Sequence, residues 1–215
     1  MPELNRRPIA LALRATADPV VQWCADCGVN PNTISCCSLV AAAGASIAFA
    51  FASKAPFLLL VGVAFCVLRL YLNMLDGMVA IAASQTTKVG EVANELPDRI
   101  SDVVIFIGMA HSGLCHPFLG YWCAILSLLV AYVGTLGQAV GAHRDFSGPM
   151  SKPWRMVALG IGAVATWSIT RTQLSLDVMA PTLIVILAGC LVTFTSRCVR
   201  LIKATNNLRS AEGGE

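Results

Sequence analysis

Six apolar stretches of the length that crosses a bilayer, about 20 residues, run along the chain at residues 34–53, 56–80, 92–112, 118–141, 154–172 and 178–200. The segments between them carry charge, Gly or Pro where a turn belongs: Lys54-Ala55-Pro56, the region of Gly90, His111 to Pro117, Gly148-Pro149 to Pro153, and Arg171 to Asp177. The pattern predicts an all-α polytopic membrane protein of six transmembrane helices. Residues 1–33, of mixed polarity, form an N-terminal cytoplasmic or interfacial segment. Residues 34–203 form the six-helix domain, and 204–215 a cytoplasmic tail, disordered from Asn206. No internal repeat is visible. The apolar run Pro8 to Leu13, ending at Arg14, is too short for the core of a secretory signal.

Composition agrees. Of 215 residues 56% are hydrophobic and 13% charged, against roughly 25% charged in soluble proteins. With a mean hydropathy of +0.71, this excludes a water-soluble globule in all but name, because a chain of this length has too little interior for so much apolar surface. A net charge of +3 is too weak for a phosphate-backbone binder, so no nucleic-acid partner is expected. Eleven of the 15 Lys and Arg residues fall on the side shared by both ends and by the second and fourth connections. They are Arg6, Arg7, Arg14, Lys88, Arg144, Lys152, Arg155, Arg197, Arg200, Lys203 and Arg209. The positive-inside rule therefore places both termini in the cytoplasm. Of the nine cysteines, Cys66, Cys123 and Cys190 lie in apolar runs as small hydrophobes. Cys24-x-x-Cys27 with Cys36-Cys37 has metal-ligand spacing, but no His lies nearby and the second pair opens an apolar run. The four Trp residues read as interface anchors and packing.

The acids concentrate in one place. Asp76, Glu91, Glu95, Asp98 and Asp102, five of 12 carboxylates, lie between the end of the second span and the start of the third. Ionisable groups in a span are costly, about 2.5–3.5 kcal/mol each near the bilayer centre on insertion scales, and mark function by default. Glu91, Asn94, Glu95, Asp98 and Asp102 recur at steps of three or four, so they share one helix face; Pro97 is placed to kink that helix. Asn73 and Asp76, at i and i+3 on the preceding span, complete an oxygen-lined pocket suited to Mg²⁺ or Mn²⁺. The alternative is that the acids solvate a helix end and pair with Arg69, Arg99 and Lys88, but five acids and two Asn exceed what two arginines neutralise. Gly77, Ala80 and Gly90 leave room for a ligand to approach, and a divalent cation beside small residues suits a diphosphate.

These residues carry a resemblance. Asn73-x-x-Asp76-Gly77-x-x-Ala80-Ile81, then Gly90, Asn94 and Asp98, resembles the signature D-x2-D-G-x2-A-R-x8-G-x3-D-x3-D of the CDP-alcohol phosphatidyltransferase family, matching at five of eight signature positions. Pro31-Asn32 followed by Ser35 is similar to the Pro-Asn-x-x-Thr/Ser element that the family carries ahead of its first span. The resemblance covers about residues 28 to 200. It implies a phosphatidyltransferase of phospholipid synthesis, moving a phosphatidyl group from CDP-diacylglycerol or a similar CDP-alcohol to an alcohol acceptor with release of CMP. It implies that Asp76, Asn73 and Asn94, with Asp98, hold Mg²⁺ or Mn²⁺, that Asp98 is the general base, and that Asn73, Asp76, Gly77, Ala80 and Gly90 line the nucleotide. It also implies a homodimer, and the setting read here is a bacterial cytoplasmic (inner) membrane.

The chain departs from the signature in ways that bear on the chemistry. Asn73 and Asn94 keep oxygen ligands but remove two negative charges, which lowers metal affinity or changes metal number. Glu91 and Glu95 on the same stripe can restore charge. Ile81 removes a cation near the nucleotide, leaving Lys88 or Arg69 in its place. The pattern resembles a variant subgroup with Asn-x-x-Asp-Gly and Asn-Glu-x-x-Asp. In the fourth connection, Arg144, Lys152 and Arg155 are candidates to bind an acceptor phosphate, or are the ordinary positive charge of a cytoplasmic loop. His111 and His116 lie on the opposite face, away from the chemistry. Two rival functions stand beside the transferase: a catalytically silent scaffold that binds a CDP-lipid, and a small cation transporter. Transport requires polar residues through the whole depth, whereas Val103 to Met109 are mostly apolar.

Overall fold

The computed structural model describes the backbone of residues 8–82, 88–172 and 176–212, with side chains for 17–82, 95–172 and 176–207. Among the described residues the fold is all helical: α1 (Pro8–Asp26), α2 (Pro31–Ala50), α3 (Leu58–Ala82), α4 (Lys88–Ala110), α5 (Pro117–Ala139), α6 (Lys152–Thr170) and α7 (Met179–Glu212). Helix starts follow local chemistry. Asn30 caps α2, its side chain accepting from the Asn32 amide at 2.9 Å, with Pro31 at the first helical position. His116 and Pro117 repeat the device at α5, where His116 Nδ1 accepts from the Phe118 amide at 3.3 Å. Gly28, at φ 66°, supplies the left-handed residue that lets α1 turn into α2.

Helix α2 packs on α3 and α4, α5 on α4 and α7, α6 on α3 and α7, and α1 on α3. Small residues allow the close crossings. The buried face of α2 is Ala41, Ala42, Ala45 and Ala48, and a Cβ on Gly108 of α4 would lie 2.3 Å from the Ser46 carbonyl oxygen of α2. The main core collects Phe49, Leu59, Ile105, Phe106, Met109, Leu159, Leu183 and Ile186. Large apolar side chains also face outward, among them Val40, Ile47, Val67, Ile125, Ile161 and Val185. Charged residues are conversely inside: Arg69 and Arg155 are the largest fully buried side chains. That inversion suits a lipid surround.

Among the described residues four helices, α2, α3, α5 and α7, are long and apolar enough to cross a membrane. Each of the six apolar stretches falls largely on a helix, α2 to α7. The N-terminal segment contains a helix, α1, whose Ala17, Val21 and Cys24 pack with Ile34, Leu75 and Val79 as a second apolar cluster. The tail beyond Asn206 continues α7 to Glu212, because no helix breaker occurs before Gly213. Helix α4 runs unbroken through Pro97.

Substituting Gly108→Val is expected to push α2 and α4 apart at a cost of about 1–3 kcal/mol, read as a lower midpoint of thermal unfolding in detergent. Gly160→Ala, whose added carbon would sit 3.7 Å from Val63 in ordinary contact, is expected to raise the midpoint slightly, since alanine restores helix propensity at no steric cost.

Candidate active site

The last turns of α3, the first half of α4 and the start of α6 meet at one end of the bundle. On α3, Arg69, Asn73, Asp76, Gly77 and Ala80 climb toward its C-terminus, with Arg69 and Asp76 buried and the other three half-buried. Ser35 of α2 donates its hydroxyl to Asp76 Oδ2 at 2.6 Å. The other oxygen, Asp76 Oδ1, is buried and has no hydrogen-bond partner among the described residues. Asp76 also lies within reach of the charges of Asp98 and Lys152.

Asp102 of α4 is clamped between two arginines from different helices. Arg69 Nη2 of α3 approaches its Oδ1 at 2.8 Å, and Arg155 Nη2 of α6 its Oδ2 at 2.6 Å. All three side chains are buried. One turn earlier, Arg69 Nη2 also donates to the Asp98 carbonyl at 3.0 Å and stands 3.6 Å from Asp98 Oδ1. Lys152 Nζ, from the first turn of α6, pairs with Asp98 Oδ2. Glu95 is paired with Arg99 at i and i+4. Among the described residues each acid of the α4 stripe is thus paired, Glu95 within α4 and Asp98 and Asp102 by cations from α3 and α6.

The structure brings Asp76, Asp98, Lys152 and Arg155 into one neighbourhood. The side chains of Glu91 and Asn94, and the surroundings of Gly90, lie outside the described residues. Arg155, read as an acceptor contact, points into the bundle, bonding Asp102 and the Met150 carbonyl (3.2 Å). Arg144 stays on the α5–α6 loop, donating to Gln138 Oε1 at 2.7 Å. There it lines a cavity of about 260 Å³ with His143, Asp145, Arg197 and Arg200. Burial alone would raise the Asp145 carboxyl, but hydrogen bonds from Ser147 and Arg200 outweigh it and hold the group below the usual carboxylate range. Among the described residues, a Cβ on Gly77 would meet no atom within 4 Å. His111 bonds Tyr121 at 2.9 Å at the far end of α4 and α5.

Three contributors have a more specific place here than in the sequence. Ser35 is legible there only as part of the Pro-Asn-x-x-Ser element, Arg69 as a general partner of the acids or a substitute for the missing signature cation, and Asp102 as one member of the stripe. A charge one turn before Asn73 and another one turn after Asp98 is the signal that pairs them. Among the described residues no three His, Cys, Asp or Glu side chains converge on one metal position.

An all-helical bundle with an apolar surface and with carboxylates, arginines and a lysine gathered at one end has the layout of a membrane protein with a polar, cation-binding end. The chain belongs to the CDP-alcohol phosphatidyltransferase family, whose model matches residues 29–195. Membership makes it a transferase of phospholipid synthesis. It is 29% identical to the inner membrane protein YnbA of Escherichia coli (strain K12) over 68% of this chain and 73% of that one. It is 30% identical to the archaetidylinositol phosphate synthase of Aeropyrum pernix over 72% and 77%. In fold it is similar to the phosphatidylinositol phosphate synthase of Mycobacterium tuberculosis, solved with CDP-DAG bound: TM-score 0.70, 18% identity, 86% of this chain and 92% of that one. A second structure of that enzyme, with manganese and citrate, matches with TM-score 0.70, 18% identity and coverage of 86% and 88%.

Replacing Asp102 by Leu leaves Arg69 and Arg155 buried without a counter-charge. The expected loss is about 3–5 kcal/mol of stability, as for other buried pairs broken on one side, measured by denaturant or thermal unfolding in detergent. A triple change, Asp102→Leu with Arg69→Met and Arg155→Met, recovers most of it.

Proposed function

We propose that this protein transfers a phosphatidyl group from CDP-diacylglycerol to the hydroxyl of a small phosphorylated polyol, releasing CMP, with inositol phosphate the first candidate acceptor. The observation that carries the reading is the pair of site carboxylates, Asp76 and Asp98, each with one buried oxygen that no hydrogen bond satisfies among the described residues. Unsatisfied buried carboxylate oxygens are destabilising unless a cation or donor arrives. The polyol phosphate is supported by the names of the relatives and by the basic α5–α6 loop with Arg144.

The residues divide the work. Asp76, positioned by Ser35, and Asp98 fit an Mg²⁺ or Mn²⁺ ion, with Asn73, Asn94, Glu91 and Glu95 as further oxygen donors. A bound divalent ion supplies charge stabilisation to the attacking and leaving oxygens of a phosphoryl displacement. Asp98 is the general base. Its Oδ2 is held by Lys152, so Oδ1 is the atom that takes the acceptor hydroxyl proton as the new P–O bond forms and the P–O bond to CMP breaks. Arg69 fixes this carboxylate from behind through the Asp98 carbonyl. The flank at Gly77, with Ala80 and Gly90, receives the nucleotide, and Arg144 and Lys152 supply positive charge on the acceptor side, Arg155 being taken up by Asp102.

The same reading covers topology. At 1.5 Å per residue, α4 and α6 with 23 and 19 residues extend about 34 and 28 Å, against a hydrocarbon core of about 30 Å, and both lengths fall within the roughly 17–25 residues of transmembrane helices. We take both as spans, giving six, with termini and site on the cytoplasmic side, as the excess of Lys and Arg on that side supports.

The test is CMP release by the purified protein in liposomes with CDP-diacylglycerol, Mn²⁺ or Mg²⁺, and a panel of alcohols and polyol phosphates. Acceptor-dependent release is expected, falling about 10²–10⁴-fold in Asp98→Asn. Gly77→Leu is expected to raise KM for the CDP-lipid several-fold without lowering the unfolding midpoint, since the added side chain meets ligand space and no protein. Binding of the CDP-lipid with no turnover for any acceptor would instead support the silent scaffold.

A further inference from the structure

The charges around the site balance before any ion binds. Among the described side chains the network holds four acids, Asp76, Glu95, Asp98 and Asp102, and four cations, Arg69, Arg99, Lys152 and Arg155. Arg69 and Arg155 are consumed by Asp102, and Arg99 by Glu95. Two carboxylates remain, and they differ. Asp98 already holds the Lys152 ammonium. Asp76, 1% exposed, is bonded by the uncharged Ser35 hydroxyl, and its second oxygen is without a hydrogen-bond partner among the described residues.

Position and chemistry set Lys152 apart from the arginines. It enters from the first turn of α6, its side chain is 18% exposed, and its ammonium is a compact point charge. The signature positions at Asn73 and Asn94 carry amides, which donate oxygen without charge. A second divalent ion at Asp98 would face Lys152 and Arg69, the latter 3.6 Å from Oδ1. At those two positions amides stand where charge is missing, and Glu95 on the same stripe is already paired with Arg99. Like-charge repulsion between a dication and two fixed cations in a poorly hydrated pocket far exceeds what amide oxygens return.

From this geometry we infer that Lys152 is a resident cation of the site: its ammonium on Asp98 takes the place of a second divalent ion, so the protein binds one divalent ion per chain, at Asp76. The inference rests on the proposed metal-dependent transfer and adds the ion number and the residue that sets it. It also gives the two Asn positions a reason, since a site with a built-in ammonium needs fewer anionic ligands.

The experiment counts Mn²⁺ bound to the full-length protein in liposomes, with the metal alone, from the free-ion electron paramagnetic resonance signal. One ion per chain is expected for the wild type and for Lys152→Arg, and two for Lys152→Met. Two ions in the wild type, or a single ion in a folded Lys152→Met, overturns the inference and leaves the proposed transfer standing. No bound ion in the wild type overturns both the inference and the metal-dependent reading. The wild-type and Lys152→Arg counts decide the matter if Lys152→Met does not fold.

Discussion

The Asp102 carboxylate, held between Arg69 and Arg155, is the interaction on which the site end of the bundle depends. It joins α3, α4 and α6 in a region where lipid on the outside offers no solvent for a stray charge. An isolated ion there is prohibitive, and two arginines on one carboxylate leave a net positive charge that has to be shared onward. Arg69 does this through the Asp98 carbonyl and carboxylate. The Asp98 carboxylate is consequently fixed by the same guanidinium that ties the helices together. Stability and positioning are one structure here, and a change at Asp102 reaches Asp98 without touching it.

Much of this was legible in the sequence. The apolar stretches located six of seven helices because a bilayer sets their length and turns break them with charge, Gly or Pro. The acids from Asp76 to Asp102 were legible for the opposite reason: polar residues in a span are too costly to be incidental. The sequence did not reveal who pairs with whom. Arg155 reads as a loop cation because it lies three residues after Lys152, yet that spacing turns it inward on α6 to reach Asp102, 53 residues away. Ser35 to Asp76 spans 41 residues. Such pairings are set by how helices cross, which depends on contacts like Gly108 against Ser46 that no local pattern encodes. Helix α1 was missed because its apolar face is short and interleaved with polar residues, so periodicity registers only mixed polarity.

The depth of the polar region separates the functions that an acidic stripe permits. A cation path needs polar groups from one face to the other. Going inward along α4 from Asp102, the buried positions are Ile105, Phe106 and Met109, packed with Phe49, Leu59 and Leu159. An ion leaving the arginine pair would meet only hydrocarbon, at a cost that no side chain there offsets. Among the described residues the charged groups of α3, α4 and α6 therefore stop at the Asp102 network, at one end of the bundle. Charge confined to one end suits chemistry at a membrane surface, where a soluble acceptor can meet a lipid-borne group, and does not suit a path through the bilayer.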